Sequence, residues 1–166
     1  GRYNTRLANM DLNVTRNQFV TFVYRVLNLN IDSPIMSISD DQVHTFLSNS
    51  YTDYVSIPDW ARLPVASAIN YGILPFDGDE FNGNAPISRL DAAIVISRAL
   101  KIVKGFELAD FSSFNDADTI SDLAKSEIVD GVIIGSSDGK AHLDSNLTRA
   151  QALTMLYRLF TKAFEW

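Results

Sequence analysis

Cysteine is absent from this 166-residue chain, and histidine occurs only twice. Without thiols there is no disulfide and no cysteine-based metal site, and the sequence shows no P-loop, zinc or nucleophile-elbow spacing. No apolar run approaches the roughly 20 residues of a membrane span. Basic residues are outnumbered, and the net charge of −6 argues against a nucleic-acid partner. We therefore predict no membrane span, no catalytic site, no cofactor and no metal.

What is present describes one soluble globular domain. Hydrophobic residues make up 46% and charged residues 20% of the chain, which is ordinary for a packed domain. The length is sufficient for a sizeable core. Because the chain is acidic overall, any recognition of an anionic polymer has to be local, at individual arginines.

A short phrase occurs three times: an aliphatic residue, a hydroxyl residue, an arginine, any residue, and an acid or amide. The copies are residues 14–18, 87–91 and 147–151. After each arginine, apolar residues fall at +3, +4, +7, +10 and +11, which is the spacing of a helix with one buried stripe. A second arginine recurs at +9, as Arg25, Arg98 and Arg158. The repeats predict three equivalent helices.

Each phrase also reads as a helix start. The hydroxyl residues Thr15, Ser88 and Thr148 occupy the N-cap position, where a side-chain oxygen accepts a hydrogen bond from a free backbone N–H. Three residues later come Gln18, Asp91 and Gln151. Gln at that place completes a capping box, and Asp is a shorter substitute.

The arginine of the phrase is not explained by capping. Arg16, Arg89 and Arg149 take the first helical position, where a cation is disfavoured by a few tenths to about 1 kcal/mol. A guanidinium beside free helix N–H groups forms an anion site, and this is our functional interpretation. The alternative is that each arginine bonds carbonyls or carboxylates of a neighbouring repeat. Both can hold at once.

A second shared pattern precedes the second and third phrases. A helix fits between Trp60 and Gly72, and its third-copy counterpart is four residues shorter, which is about one turn. Pro64 predicts that the longer helix starts late or bends. Gly72 and Gly131 read as helix C-caps, and turns are predicted at Asp77-Gly78 and Asp138-Gly139. Ser39 to Gln42 predict the start of a further short helix through Leu47.

Taken together, these motifs resemble the S-layer homology (SLH) domain family. Its repeat has an aromatic-x-Asp start, a Trp-Ala helix, a Gly-Ile-Ile-x-Gly-x-x-Asp-Gly loop, and Ile-Thr-Arg-Ala-Glu opening a second helix. Residues 131–151 follow this template closely, and residues 51–100 follow it with a net loss of one loop residue. The resemblance covers nearly the whole chain as about two and a half repeats.

The resemblance implies an all-α fold, with helical-hairpin repeats in a pseudo-threefold unit and grooves between repeats. It implies an extracellular, non-catalytic module that docks a bacterial surface protein onto the cell wall. The partner would be secondary cell-wall polysaccharide, commonly pyruvylated, or else peptidoglycan. We expect the isolated domain to be monomeric. A helical repeat used for protein–protein contact is the alternative.

By position in the motif, the resemblance assigns eight ligand-binding residues. These are Arg16, Arg89, Arg149, Asp53, Asp116, Gly72, Gly131 and Trp60, with Trp60 as a sugar platform. The sequence departs from the family where the motif glutamate is Gln18, Asp91 or Gln151, and where Leu123 replaces the tryptophan.

The repeats divide the chain as follows. Residues 1–30 form a partial first repeat, 31–50 a linker, 51–103 the second repeat, 104–110 a linker and 111–166 the third repeat. Residues 1–10 are too few for a helix plus a loop, so we expect the chain to begin inside the domain. A calcium loop starting at Asp116 is rejected, because Ile120 and Ser121 stand where a ligand and a glycine are required.

Overall fold

The computed structural model describes residues 9–29, 34–76, 78–103 and 105–164. The α-helices in these ranges are α1 (Arg16–Leu27), α2 (Asp40–Ser50), α3 (Asp59–Asn70), α4 (Arg89–Val103), α5 (Asp122–Glu127) and α6 (Arg149–Phe164). Short 3-10 turns precede α3 and α5, at Tyr54–Ser56 and Ala117–Thr119. Within the described residues β-structure is limited to isolated bridges, which confirms the predicted all-α fold.

The three repeated phrases start helices α1, α4 and α6, as predicted. The hydroxyl oxygens of Thr15, Ser88 and Thr148 accept the N–H groups of the residues three positions later, at 3.3, 3.0 and 3.3 Å. The Gln side chains at those later positions also accept the cap N–H, at 3.2 Å in the first copy and 3.0 Å in the third. The N-cap prediction is confirmed in all three copies, and the capping box is confirmed in the two copies that have glutamine.

The aliphatic residues that open the phrases meet in the core. The N–H of Val14 donates to the carbonyl of Leu147, that of Leu147 to Ile87, and that of Ile87 to Val14, each at 2.9 Å. All three side chains are at most 1% exposed. A closed ring of three backbone hydrogen bonds therefore joins the starts of α1, α4 and α6, and the three helices pack on one another around it.

Three turns of the same kind lead into the three phrases. Asn9, Asn82 and His142 have left-handed backbone conformations with φ of 44, 53 and 51°. The carbonyl of each accepts the N–H three residues on, at 3.0, 2.8 and 3.1 Å. The partial first repeat thus retains the last turn of its upstream half, which the sequence pattern did not reveal.

The remaining helices pack on two of the central three, α1 and α4, or on each other. Helix α3 packs on α1 and α2, and α5 packs on α4. Helix α3 has 12 residues and α5 only six, which confirms the predicted shortening in the third copy. Helix α3 begins at Asp59 and contains the buried Pro64, so of the two predicted alternatives, a late start or a bend, the late start is excluded. The missing N–H of Pro64 removes one helical bond, and the tight packing of α3 on its neighbours compensates for this loss.

The segments between repeats are partly structured. The predicted helix after Ser39 is confirmed, and α2 runs to Ser50 within the segment assigned as the first linker. In the second linker, Leu108 forms a bridge with Val129 beyond α5. The predicted turn residue Asp77 lies outside the described residues. None of the helices described is long and apolar enough to cross a membrane.

Candidate functional site

The N–H groups at the starts of the three central helices are not free. In each helix the first two donate to carbonyls of the turn that belongs to another copy. The pairs are Arg16 with Ala85, Asn17 with Gly83, Arg89 with Ser145, Leu90 with Leu143, Arg149 with Leu12 and Ala150 with Met10, all at 2.9–3.1 Å. The expectation of an anion bound by free helix N–H groups is therefore wrong, because neighbouring loops already satisfy these donors.

The phrase arginines Arg16 and Arg89 also bond a neighbouring repeat. Arg16 Nη1 donates to the carbonyl of Phe81 at 2.9 Å, and Arg89 Nε donates to the carbonyl of Ala141 at 3.0 Å. Phe81 and Ala141 immediately precede the left-handed residues of the second and third turns. The alternative interpretation, in which the arginine bonds a neighbouring repeat, is therefore confirmed for Arg16 and Arg89.

The two predicted aspartates hold the other side of the same peptides. Asp53 accepts the N–H groups of Phe81 and Asn82 at 2.8 and 2.9 Å. Asp116 accepts those of Ala141 and His142 at 2.8 and 3.0 Å. Each turn is thus clamped between an aspartate of its own repeat and an arginine of the preceding one.

The hydrogen bond from the Ala141 N–H, and secondarily that from His142, lowers the pKa of Asp116 below its ordinary value. Partial desolvation opposes this shift without reversing it. The carboxylate is therefore ionised at neutral pH and available to hold the turn. Charge-assisted hydrogen bonds are stronger than neutral ones, so the aspartate and the arginine together fix the position of this turn.

The guanidinium of Arg89 faces a cavity of about 200 Å³ between the loop after Gly131 and helix α6. Arg158, the +9 arginine of the third copy, lines the same cavity. The other lining residues are Val132, Ile133, Ile134, Gly135, Ser136, Gln151, Thr154 and Met155. We call this the Arg89 cavity. It places the predicted site residue Arg89 beside the loop that follows Gly131, and Gly131 itself does not line it.

Both arginines of the Arg89 cavity carry charge that no described carboxylate neutralises. Arg89 is 8% exposed, and burial lowers its pKa, with a further contribution from the positive charge of Arg158. Burial also lowers the pKa of Arg158, whose Nη1 donates to the Val132 carbonyl at 3.0 Å. In the described part of the chain neither has a carboxylate within 4.0 Å. Two like charges in a partly dehydrated cavity favour an anion between them.

At the equivalent position one repeat earlier, carboxylates of the chain itself neutralise the charge of the two arginines. There the arginines are Arg16 and Arg98. Arg16 lies 3.8 Å from the Asp91 carboxylate and stacks over the Phe76 ring at 4.2 Å. Arg98 pairs with Glu127 at 2.9 Å, and this contact lowers the pKa of Glu127. Asp91 occupies the same motif position as Gln151 of the Arg89 cavity, so the two places have opposite charge balance.

The other predicted residues lie elsewhere. Gly72 directly follows the C-cap of α3 with φ of 65°, as predicted for a glycine that ends a helix. The same prediction for Gly131 is wrong, because α5 ends earlier, at Glu127, and Gly131 with φ of 72° lies in the turn in which the Val132 N–H donates to the Val129 carbonyl at 3.2 Å. Trp60 is 51% exposed on α3, as expected for a sugar platform, but it does not line the Arg89 cavity. Arg149 is half-buried in an apolar groove between α1 and α6.

A second cavity, of about 340 Å³, adjoins Asp116. Lys140, His142, Ser121 and Thr119 contribute its polar lining. No group of three or more metal-ligating side chains is close enough to hold a metal ion among the residues described. The cavity therefore offers hydrogen-bonding groups of the kind that bind hydroxyl-rich ligands.

Sequence reasoning did not assign Arg158 to the site. The sequence did contain one signal. An arginine recurs nine residues after the phrase arginine in all three copies, and helical periodicity alone does not require an arginine there. What the sequence could not supply was the distance between α6 and Arg89, which depends on how separate repeats pack.

The fold and site define an all-α module built from sequence repeats, with one electropositive cavity between two of them. Residues 50–93 match the family model of the S-layer homology domain, which confirms the resemblance drawn from the repeated phrase. This match runs from the end of α2 to the first turn of α4. The S-layer homology domain is generally a non-catalytic module that anchors surface proteins to the cell wall.

Two curated proteins are similar over most of the chain. Exoglucanase XynX of Acetivibrio thermocellus is 26% identical over 159 residues, which is 90% of this chain and 13% of that protein. Amylopullulanase of Thermoanaerobacterium thermosulfurigenes is 25% identical over 156 residues, 90% of this chain and 8% of that protein. The chain thus corresponds to a small part of each relative.

Proposed function

We propose that this chain is an extracellular, non-catalytic anchoring module that binds secondary cell-wall polysaccharide and tethers a bacterial surface protein. We further propose that the Arg89 cavity receives an anionic substituent of that polymer, such as a pyruvate-like carboxylate. The observation that carries this proposal is the pair of arginines without a neutralising carboxylate, Arg89 and Arg158.

The chemistry of the cavity suits a carboxylate. Guanidinium groups present planar forks of N–H donors that match the two oxygens of a carboxylate. Ser136, Gln151 and Thr154 add uncharged polar groups at the wall. A volume of about 200 Å³ accommodates a small charged substituent and not a polymer, so the sugar chain would continue outside the cavity.

The remaining predicted residues are proposed to act around this anion site. Asp116 and Asp53 hold the turns at the groove rims, and Arg16 anchors the second turn. Gly72 lets its loop leave α3 in the left-handed conformation, and Gly131 lets the chain turn between Val129 and Val132. Trp60 offers an exposed face for stacking on a sugar.

Arg149 is proposed to belong to a third groove, between α6 and α1. There Gln18 takes the motif position that Gln151 has in the Arg89 cavity. The loop of this groove would come from the first repeat, and it is not among the described residues. Among the described residues Arg149 is the one arginine that lines this groove, whereas two arginines line the Arg89 cavity, so we expect the groove to bind an anion more weakly.

The sharpest test places a carboxylate in the cavity by changing Gln151→Glu. Gln151 Oε1 accepts the Thr148 N–H at 3.0 Å, and glutamate keeps that capping bond. The new charge sits where Asp91 stands in the neutralised place. Losing one charge-assisted bond, about 1.5–3 kcal/mol, should weaken binding to purified walls roughly tenfold or more.

Gln18→Glu is the matched control, because it makes the same change at the same motif position of α1 and also keeps its capping bond. It should weaken binding less than Gln151→Glu does, because we expect its groove to bind an anion more weakly. Equal losses in both variants would contradict the cavity assignment. Binding of the unaltered chain to walls stripped of their polysaccharide would instead favour peptidoglycan or a protein partner.

A further inference from the structure

A second, wider depression adjoins the Arg89 cavity. The two share Ile133, Ile134 and Gly135, which form the middle of the loop that follows Gly131. The depression has a volume of about 450 Å³ and lies between this loop and the segment that precedes the second 3-10 turn. Its polar and aromatic side chains are those of Asp110, Ser113, Phe114 and Asp130. We call it the Asp130 groove.

Large side chains occupy the equivalent place in the second repeat. Counted from the aligned loop glycines, Asp130 and Gly135 correspond to Tyr71 and Phe76. The Phe76 ring packs edge-on against the Phe81 ring, with 5.5 Å between the ring centroids. The small and acidic residues of the Asp130 groove are therefore particular to the third repeat and do not follow from the repeat pattern.

The wall of the Asp130 groove combines an apolar face with hydrogen-bond acceptors. The half-buried Phe114 ring lies close to Gly135, where an added Cβ would be 3.0 Å from the ring. Asp110, Ser113 and Asp130 are exposed along the groove. An ionised carboxylate only accepts hydrogen bonds, so it suits the hydroxyl donors of a sugar, and an aromatic ring suits the apolar face of a sugar ring.

The groove and the cavity beside it have opposite charge. Arg89 and Arg158 line the cavity, whereas no lysine or arginine is among the described residues that line the groove. The hydrogen bond from the Ser112 N–H to Asp110, at 2.9 Å, lowers the pKa of Asp110 and keeps its carboxylate ionised. Because like charges repel, the groove disfavours an anionic group, and the arginines attract one.

The Asp116 cavity is a less suitable continuation of the Arg89 cavity. The two cavities have no lining residue in common. The Ala141 peptide stands between them, since its carbonyl accepts from Arg89 and its N–H donates to Asp116. A ligand that extends out of the Arg89 cavity along a shared wall therefore enters the Asp130 groove.

We propose that the Asp130 groove binds an uncharged sugar residue linked to the anionic residue whose carboxylate enters the Arg89 cavity. This inference rests on the proposed function, and it adds a second subsite and a direction for the polymer. The groove, of about 450 Å³ against about 200 Å³ for the cavity, is sized for a whole sugar ring and not for a substituent alone.

The test compares two probes by titration calorimetry. One is the methyl glycoside of a hexose that carries a ketal-linked pyruvate, and the other is the disaccharide in which that unit is linked to an uncharged hexose. The variant combines Asp110→Asn with Asp130→Asn, which preserves side-chain size. Asp118→Asn is the matched control, because Asp118 is an exposed carboxylate that lines neither the cavity nor the groove.

We expect the disaccharide to bind the unaltered chain about fivefold or more tightly than the monosaccharide. The double variant should lose this preference without binding the monosaccharide more weakly, because removing negative charge does not reduce attraction for an anion. Asp118→Asn should keep the preference.

Equal affinity of the two probes for the unaltered chain would overturn this inference and leave the proposed function standing. Equal losses of affinity for both probes in the double variant would also overturn it. If neither probe binds the unaltered chain, the proposed function fails, and this inference fails with it.

Discussion

Removing the Asp116 carboxylate tests how the turn beside the Arg89 cavity is held. In Asp116→Ala the N–H groups of Ala141 and His142 lose acceptors at 2.8 and 3.0 Å. An unsatisfied buried donor costs about 1–3 kcal/mol, and the lower end applies here because the site is half-buried and water reaches it. We expect a loss of about 1 kcal/mol in the free energy of unfolding, or about 2–4 °C in melting temperature.

The loss should depend on pH in a defined direction. The pKa of Asp116 is lowered in the folded chain, chiefly by the Ala141 N–H, so its carboxylate stabilises the fold above the unfolded pKa. That contribution disappears as pH falls through the folded pKa. The difference between the unaltered chain and Asp116→Ala should therefore be complete at pH 7 and shrink below about pH 3.8, the ordinary value.

The assay is urea unfolding followed by circular dichroism at a series of pH values. Asp118→Ala is the control, because Asp118 is an exposed carboxylate in the same 3-10 turn and should change stability by less than about 0.5 kcal/mol. The double variant with Arg89→Ala should lose less than the sum of the single losses, since both side chains hold the Ala141 peptide. Unchanged stability at pH 7, or a loss that does not vary with pH, would refute the clamp.

Three further predictions concern the arginines, the tryptophan and an ion pair. Arg89→Ala should weaken wall binding most, by roughly tenfold or more, Arg149→Ala less and Arg16→Ala least, with melting temperatures measured alongside; equal affinities with lowered stability would make these arginines purely structural. Trp60→Ala should leave the melting temperature nearly unchanged and weaken binding severalfold by titration calorimetry, since stacking groups contribute about 0.5–1.5 kcal/mol. Glu127→Gln should destabilise the fold at pH 7 and be neutral well below about pH 4.5, because the Arg98 hydrogen bond lowers the Glu127 pKa; a constant difference would contradict this.

Local chemistry made the helix starts predictable. Thr15 and Thr148 with their glutamines satisfy helix N–H groups through neighbours three residues away, so the pattern is visible in sequence. Pro64 lies inside α3 although local rules disfavour proline there, because burial against other helices outweighs them. Rules based on near neighbours in the sequence therefore predict helix caps, and they fail where packing between helices decides the structure.

The character of the candidate site depends on contacts between repeats. Sequence could place Arg89 at a helix start, but its bond to the Ala141 carbonyl joins residues far apart in the chain. It also could not show that Asp91 lies near Arg16 whereas Gln151 faces the Arg89 cavity. The net charge around Arg16 and that around Arg89 differ only because of how α4 and α6 pack against the preceding repeat.

We propose that the chain recognises a wall polysaccharide through the Arg89 cavity. The most direct measurement is titration of this chain with purified secondary wall polysaccharide before and after mild acid removal of its ketal-linked carboxylates. We predict saturable binding whose affinity falls at least tenfold after the carboxylates are removed. We predict a similar loss of affinity for Gln151→Glu with the untreated polymer. Equal affinity for both polymer samples, or no affinity for either alongside retention on stripped peptidoglycan, would contradict it.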